Sequence, residues 1–125
     1  MSDIKSYRDL RVWQEAMELA EDVYRLTALF PREEIYGLTS QMRRCAVSVP
    51  SNIAEGYGRD RTGAYLQCLS IARGSLKELE TQALIAARVD VCNPKSIEPL
   101  MHKAGSVGKM LNALMRALES KHTAK

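Results

Sequence analysis

The chain has 125 residues, of which 46% are apolar and 26% charged, and its net charge is +3. This length and this composition are typical of a soluble globular protein with one domain. The N-terminal segment has no apolar signal core, and no run approaches the roughly 18 uninterrupted apolar residues of a membrane span, so we expect a cytoplasmic protein.

Few aromatic and many alanine, leucine and glutamate residues favour helix over sheet. Apolar residues recur every three or four positions in four segments, which predict helices at about 9–29, 32–56, 62–89 and 96–119. Ser6 with Asp9 is a capping signal for the first helix, and Phe30-Pro31 ends it. Its predicted apolar face consists of Val12, Trp13, Ala16, Ala20, Val23, Tyr24 and Thr27.

The second helix is predicted to begin next to Pro31, because proline is favoured in a first helical turn. Glu33 and Glu34 would then lie at the positive end of the helix dipole. Its predicted buried residues are Ile35, Leu38, Met42, Cys45, Val49 and Ile53.

A structural turn is predicted at the end of the second helix, within VPSNIAEGYGR. Pro50 lacks an amide proton and clashes with the carbonyl four residues earlier, so we expect a kink there. Asn52 can bond to freed backbone groups or across to helix three, and Gly56 and Gly58 end the helix. We interpret these residues as structural rather than as ligand contacts.

Glu55 lies near the negative end of the second helix dipole, where a carboxylate is disfavoured. An arginine partner would offset this cost, and Arg59 and Arg73 are the two candidates. We expect such an ion pair to fix the glycine turn.

Helices three and four have the most regular apolar rows. Thr62 is the predicted cap of helix three and Ser96 that of helix four. Gly74 lies inside helix three, and an interior glycine costs about 1 kcal/mol against alanine, so we expect a neighbouring helix to approach closely there. The two rows are Tyr65, Leu69, Ala72, Leu76, Leu79, Ala83 and Ala86, and Ile97, Leu100, Ala104, Val107, Leu111, Leu114 and Leu118.

Four amphipathic helices with short connections predict an all-α fold, an antiparallel up-and-down four-helix bundle. Helices three and four carry further apolar residues beside their rows. These residues indicate either a wide core-facing stripe or a contact with another subunit. They are Leu66, Ile71, Ile85, Met101, Met110 and Met115.

Few residues suit catalysis, so the sequence predicts no enzyme, no cofactor and no metal site. His102 follows Glu98 by one turn, but a di-iron bundle needs the Glu-x-x-His pattern on two helices. The three cysteines are odd in number and have no Cys-x-x-Cys spacing, which favours reduced thiols.

Charge is unevenly distributed along the chain. Residues 1–40 carry five basic and eight acidic groups, whereas residues 41–77 carry six basic and two acidic groups. Guanidinium and ammonium groups on one surface bind a phosphate backbone without regard to its sequence. The predicted nucleic-acid contacts are therefore Arg43, Arg44, Arg59, Arg61, Arg73 and Lys77. The alternative is a set of solvated charges that pair with Glu33, Glu34 or Asp60.

Arg43 and Arg44 are adjacent in the chain, so their side chains point about 100° apart on a helix. We therefore expect that they do not both serve one narrow face, and that one of them pairs within the subunit or at an interface.

Three strings carry a resemblance to a known family: YRDLRVWQEA, FPREEIYGLTSQMRRCAVSVPSNIAEGYGR and LSIARGSLKELETQ. Over about residues 7–118 the chain resembles the bacterial four-helix-bundle proteins encoded by intervening sequences within 23S ribosomal RNA genes. That family includes relatives of the accessory protein of diversity-generating retroelements, which binds nucleic acid and a reverse transcriptase. The resemblance implies a ring-like homopentamer. Cys45 and Cys68 depart from its pattern, which has alanine or a bulky apolar residue there.

Two functions of different class remain open at this point. The first is a non-enzymatic homo-oligomer that binds the backbone of RNA or DNA. The second is a structural or adaptor bundle that binds a protein partner through its acidic first helix or an exposed apolar groove.

Overall fold

A computed structural model of the protein describes residues 3–123 and has four α-helices. They are α1 (Arg11–Thr27), α2 (Leu38–Tyr57), α3 (Thr62–Arg88) and α4 (Glu98–Thr123). Short 3₁₀ turns at Tyr7–Asp9, Arg32–Glu34 and Pro94–Ile97 precede α1, α2 and α4. No strand occurs within residues 3–123. The predicted all-α four-helix bundle is confirmed.

Each helix packs against the one before it, and α4 also packs against α1, which closes the bundle around one core. The rows predicted on α3 and α4 supply much of that core. Leu69, Leu76 and Leu79 are fully buried, as are Val107 and Leu111. Burial of a leucine side chain contributes about 1.5–3 kcal/mol, so these rows determine how the helices face one another.

The first helix differs from its prediction in its start and in its face. The Ser6–Asp9 capping box is present, but it caps the 3₁₀ turn, and extended Leu10 separates that turn from α1. Leu19 is fully buried, whereas Tyr24, predicted in the core, is 45% exposed. The predicted face was therefore rotated too far toward one side of the helix.

The second helix begins six residues later than predicted. The chain makes a 3₁₀ turn after Pro31, and α2 begins only after Gly37. Ile35 consequently lies outside the helix and is 53% exposed, contrary to its prediction as a buried residue. The carboxylate of Glu34 accepts a hydrogen bond from the backbone amide of Leu38 at 3.1 Å. Glu34 therefore stabilises the start of α2 from the turn that precedes the helix, and not from within its first turn as predicted.

The α2 helix continues through Pro50, which is buried. Asn52 does not reach α3, as was considered possible from the sequence. Its amide donates to the Ser48 carbonyl at 2.9 Å and to the Ser48 hydroxyl at 3.0 Å. The Ser48 hydroxyl in turn pairs with that of Ser75 on α3 at 2.8 Å. Asn52 therefore acts on α3 only through Ser48.

The predicted caps of the last two helices are wrong. Arg61 occupies the cap position of α3, where no side-chain cap forms, and Thr62 is the first helical residue. Asn93 accepts the amide of Lys95 at 2.9 Å and so caps the 3₁₀ turn that leads into α4, instead of Ser96. Asparagine before proline is a favourable turn signal, which explains the earlier start.

The α3 helix presents an outer face that is not covered within the subunit. A methyl group added at Gly74 would meet no atom within 4 Å, so no helix of the described chain approaches it, contrary to the prediction. Ile71 and Ile85 are 50% and 45% exposed. Met115, by contrast, belongs to the core.

Candidate nucleic-acid interface

The six predicted phosphate contacts form three local pairs: Arg43 with Arg44 on α2, Arg59 with Arg61 on the α2–α3 connection, and Arg73 with Lys77 on α3. None of them forms an ion pair with Glu33, Glu34 or Asp60 within residues 3–121.

The α3 pair is exposed and held by neighbours. Arg73 donates to the side-chain oxygen of Asn112 on α4 at 3.2 Å, and Lys77 pairs with Glu80 at 3.2 Å. Exposed pairs of this kind are weak and exchange readily for other anions. Both side chains thus remain accessible to a polyanion.

The α2–α3 connection places two arginines at the start of α3. A shallow depression of about 280 Å³ is lined by Gly58, Arg59, Asp60, Arg61 and Ala64. The first amides of α3 have no side-chain cap, so they add partial positive charge to the depression.

Glu55 forms its ion pair with Arg59, one of its two predicted candidate partners, and not with Arg73. The hydrogen bond with Glu55 raises the pKa of Arg59, and contact with Cys68 adds to this effect. Arg61 forms no ion pair in the described part of the chain.

Gly56 allows the connection to lie close to α3. A methyl group added at Gly56 would lie 2.8 Å from Cδ1 of Tyr65 and 2.9 Å from Cβ of Cys68. Because real side chains do not approach so closely, only glycine fits between the two helices here. The short contact fixes where the connection, and with it Arg59 and Arg61, leaves the bundle.

Arg43 and Arg44 both line one depression of about 560 Å³ between α1 and α2, contrary to the expectation that they serve different faces. Arg43 stacks on the ring of Tyr24 at 4.5 Å. It also donates to the Thr27 hydroxyl at 2.8 Å and to the Tyr24 carbonyl at 3.3 Å. Sequence reasoning missed these partners because they lie 16 and 19 residues away.

A second depression of about 310 Å³ adjoins the first and shares Ile35, Thr39 and Arg43 with it. Arg32 also lines it. Neither Arg32 nor Thr39 was singled out from the sequence, since a lone arginine in a loop and a threonine in a helix carry no distinctive pattern.

An apolar groove of about 670 Å³ runs along α1 and α2 beside these depressions. Trp13, Met17, Tyr24 and Val47 lie along it, and Tyr7 closes one end through an edge contact with Trp13 at 5.3 Å. The aromatic residues of α1 were expected in the core. In the structure Trp13 is half-buried and packs against the core while also lining the groove, whereas Tyr24 is exposed.

Burial raises the pKa of the Cys45 thiol above its ordinary value, and Glu78 adds to this, against a hydrogen bond with Gln82 and the charge of Arg44. Burial likewise raises the pKa of Cys92. The three cysteines are free thiols. The described residues include no cluster of three or more histidine, cysteine or acidic side chains that could hold a metal ion. Within the same range, no helix is both long and apolar enough to cross a membrane.

Comparison with solved structures identifies a similar fold. A crystal structure of a protein of unknown function from the S23 ribosomal protein family of Bacteroides thetaiotaomicron matches with a TM-score of 0.78 and 19% identity. The match covers 83% of this chain and 97% of the other. At this identity the likeness shows the fold alone.

Comparison with curated proteins gives no match. Comparison with protein families gives a match over most of the chain. The model of the 23S rRNA-intervening sequence protein family matches residues 8–113, which include all of α1, α2 and α3 and the larger part of α4. The chain therefore belongs to the 23S rRNA-intervening sequence protein family.

Proposed function

We propose that the protein is a non-enzymatic, cytoplasmic homo-oligomer that binds the backbone of RNA or DNA. The observation that carries this proposal is the pair Arg59 and Arg61 at the uncapped start of α3. Arg73 and Lys77 extend the basic surface along that helix. Three free thiols support a reducing compartment.

The chemistry of the connection suits phosphate rather than bases. Guanidinium groups and free helix amides both donate hydrogen bonds to phosphate oxygens, and such phosphate contacts carry no sequence information. The family description, an intervening sequence of 23S rRNA, is compatible with such a ligand.

The test is fluorescence anisotropy with a labelled RNA duplex and a labelled DNA duplex between 50 and 200 mM salt. On duplex DNA each phosphate contact contributes a slope of about −0.9 to log K against log salt, so we expect Arg61→Gln to flatten the slope by about one unit. Arg116→Gln removes the same charge from α4 and serves as the control. Equal effects of the two variants, or no binding at 50 mM salt, would refute the proposal.

The outer face of α3 supports self-association. Ile71 and Ile85 are half-exposed, and Gly74 between them leaves room for another backbone to approach. We expect light scattering to give a particle near five times the 14.0 kDa chain, the number that the family resemblance implies. Ile71→Glu should reduce this mass, whereas Val47→Glu in the α1–α2 groove should leave it unchanged.

A second candidate function is an adaptor that binds a protein partner, and the apolar α1–α2 groove favours it. Such a partner would be recovered in stoichiometric amount from a nuclease-treated lysate and lost with Val47→Glu. Recovery unaffected by that substitution would rule out the groove as the binding surface.

A further inference from the structure

We propose that the two adjoining depressions beside the start of α2 form a binding site for a single phosphate group. Three arginines, Arg32, Arg43 and Arg44, line them, together with the hydroxyl residues Thr39 and Ser40. No acidic residue is among the described residues that line either depression. The site thus collects three positive charges without a built-in counter-charge.

Arg43 is held in place by neutral groups. Stacking on Tyr24 and hydrogen bonds to the Thr27 hydroxyl and the Tyr24 carbonyl fix its guanidinium while leaving its charge unbalanced. A guanidinium has five N–H donors, and only two serve these bonds. The remaining donors are pre-organised for an anion, which lowers the entropic cost of binding.

The nearest carboxylates do not neutralise the site. Glu34 directs an oxygen to the amide of Leu38, and Glu33 lines neither depression. Arg32 and Arg44 form no ion pair within the described residues. An external anion is therefore the group that could balance these charges.

Thr39 adds a hydroxyl donor to the site. The residue is 7% exposed, and its hydroxyl is not a buried orphan, because among the described residues only Oε1 of Gln82 is a buried side-chain polar atom without a hydrogen-bond partner. Thr39 lines both depressions. A threonine hydroxyl can donate a hydrogen bond to an oxygen atom bound in either depression.

The donor set fits a phosphate monoester better than a carboxylate. A carboxylate has two oxygens and is matched by one guanidinium fork, whereas a phosphate monoester has three terminal oxygens that can accept from several of the guanidinium and hydroxyl donors lining the two depressions. The phosphate could belong to a small molecule or to the 5′ end of a nucleic-acid strand. The proposed binding of a nucleic-acid backbone by Arg59 and Arg61 is independent of this site, since these two residues line another depression.

The test is an NMR titration of the full chain with inorganic phosphate at constant ionic strength. It follows the Nε–H signal of Arg43 and the backbone amide of Thr39. We expect saturable shifts of both signals. Loss of one charge-assisted hydrogen bond weakens binding about tenfold, so Arg44→Gln and Thr39→Val should each raise Kd by about that factor. Arg88→Gln removes the same charge from an exposed position of α3 and is the matched control, which should leave Kd unchanged.

Shifts that do not saturate, or that weaken equally in Arg88→Gln and Arg44→Gln, would overturn the phosphate site. Unaltered binding in both Arg44→Gln and Thr39→Val would do the same. The duplex experiment with Arg61→Gln can fail or succeed independently of this result.

Three further ligands identify the source of the phosphate once the site is established: adenosine 5′-monophosphate, and an oligonucleotide with a 5′-phosphate or a 5′-hydroxyl group. Tighter binding of adenosine 5′-monophosphate than of a 5′-phosphorylated oligonucleotide supports a small-molecule phosphate. The reverse order, with no binding of the 5′-hydroxyl strand, supports a strand end. Equal binding of the phosphorylated and hydroxyl strands would contradict recognition of a terminal phosphate.

Discussion

Two glycines inside helices have opposite surroundings. At Gly56 an added methyl group would lie within 3 Å of Tyr65 and Cys68, whose contacting atoms include the rigid Cβ of the cysteine. At Gly74 it would meet nothing within 4 Å. The first glycine is required by packing in the subunit, and the second is not.

We therefore expect Gly56→Ala to lower the free energy of unfolding by about 1–3 kcal/mol, because the added methyl group overpacks the α2–α3 contact. Gly74→Ala is the matched control and should raise it by up to about 1 kcal/mol, since alanine is the better helix former. Urea denaturation of the two variants measures both changes. Equal effects would contradict the close contact at Gly56.

The thiol of Cys45 should react slowly with iodoacetamide at neutral pH, because burial raises its pKa. The folded state favours the neutral thiol. The neutral Cys45 thiol therefore makes its full contribution to the free energy of unfolding below the thiol pKa in the unfolded chain, about 8.5. This contribution is lost as pH rises through the higher thiol pKa of the folded state. Labelling of each cysteine, followed by mass spectrometry against pH, measures the shift. A rate for native Cys45 equal to that in the denatured chain would contradict it.

At the scale of a single element, the start of α2 depends on a side chain from the preceding turn. Glu34 accepts the amide of Leu38, one of the helix amides that has no partner within the helix. Pro31 and the acidic residues after it predicted that a helix begins in this region. The 3₁₀ turn and Gly37 delay the start of α2 to Leu38.

Glu34→Ala should lower the free energy of unfolding by about 1 kcal/mol, the usual effect of losing a helix cap. Glu33→Ala removes an equal charge from a side chain without this bond and should have an effect below about 0.5 kcal/mol. Thermal and urea unfolding of both variants would test this. A larger effect at Glu33 would mean that charge, and not the hydrogen bond, matters at this position.

At the scale of the whole molecule, the proposed oligomer and the proposed binding are coupled. Each arginine pair would be repeated once per subunit, so weak contacts with one polyanion would add through effective concentration. A substitution that disrupts the oligomer should then also lower the affinity for the nucleic acid.

Ile71→Glu should accordingly weaken duplex binding at least tenfold in the anisotropy assay. A second acidic substitution separates charge from assembly: Leu84→Glu also adds a negative charge to an exposed position of α3. Leu84→Glu should weaken binding less if the particle keeps its mass. Full affinity of a monomeric Ile71→Glu variant would contradict the multivalent mechanism.

The spacing of residue types along the chain predicts those structural features that depend on residues close together in the sequence. The rows from Leu69 to Ala86 and from Ile97 to Leu111 were predicted and are buried, because helical periodicity decides which residues share a face. The pairing of Glu55 with an arginine one turn away follows from the same geometry.

The sequence by itself therefore determined the fold class, the family resemblance and the core rows of α3 and α4. Only the tertiary structure decided that Tyr24 is exposed and that Arg43 and Arg44 share a depression with Thr39. The physical reason is distance along the chain. Periodicity describes one helix, whereas a groove and its charges depend on how two helices are rotated against each other, which packing of the whole core sets.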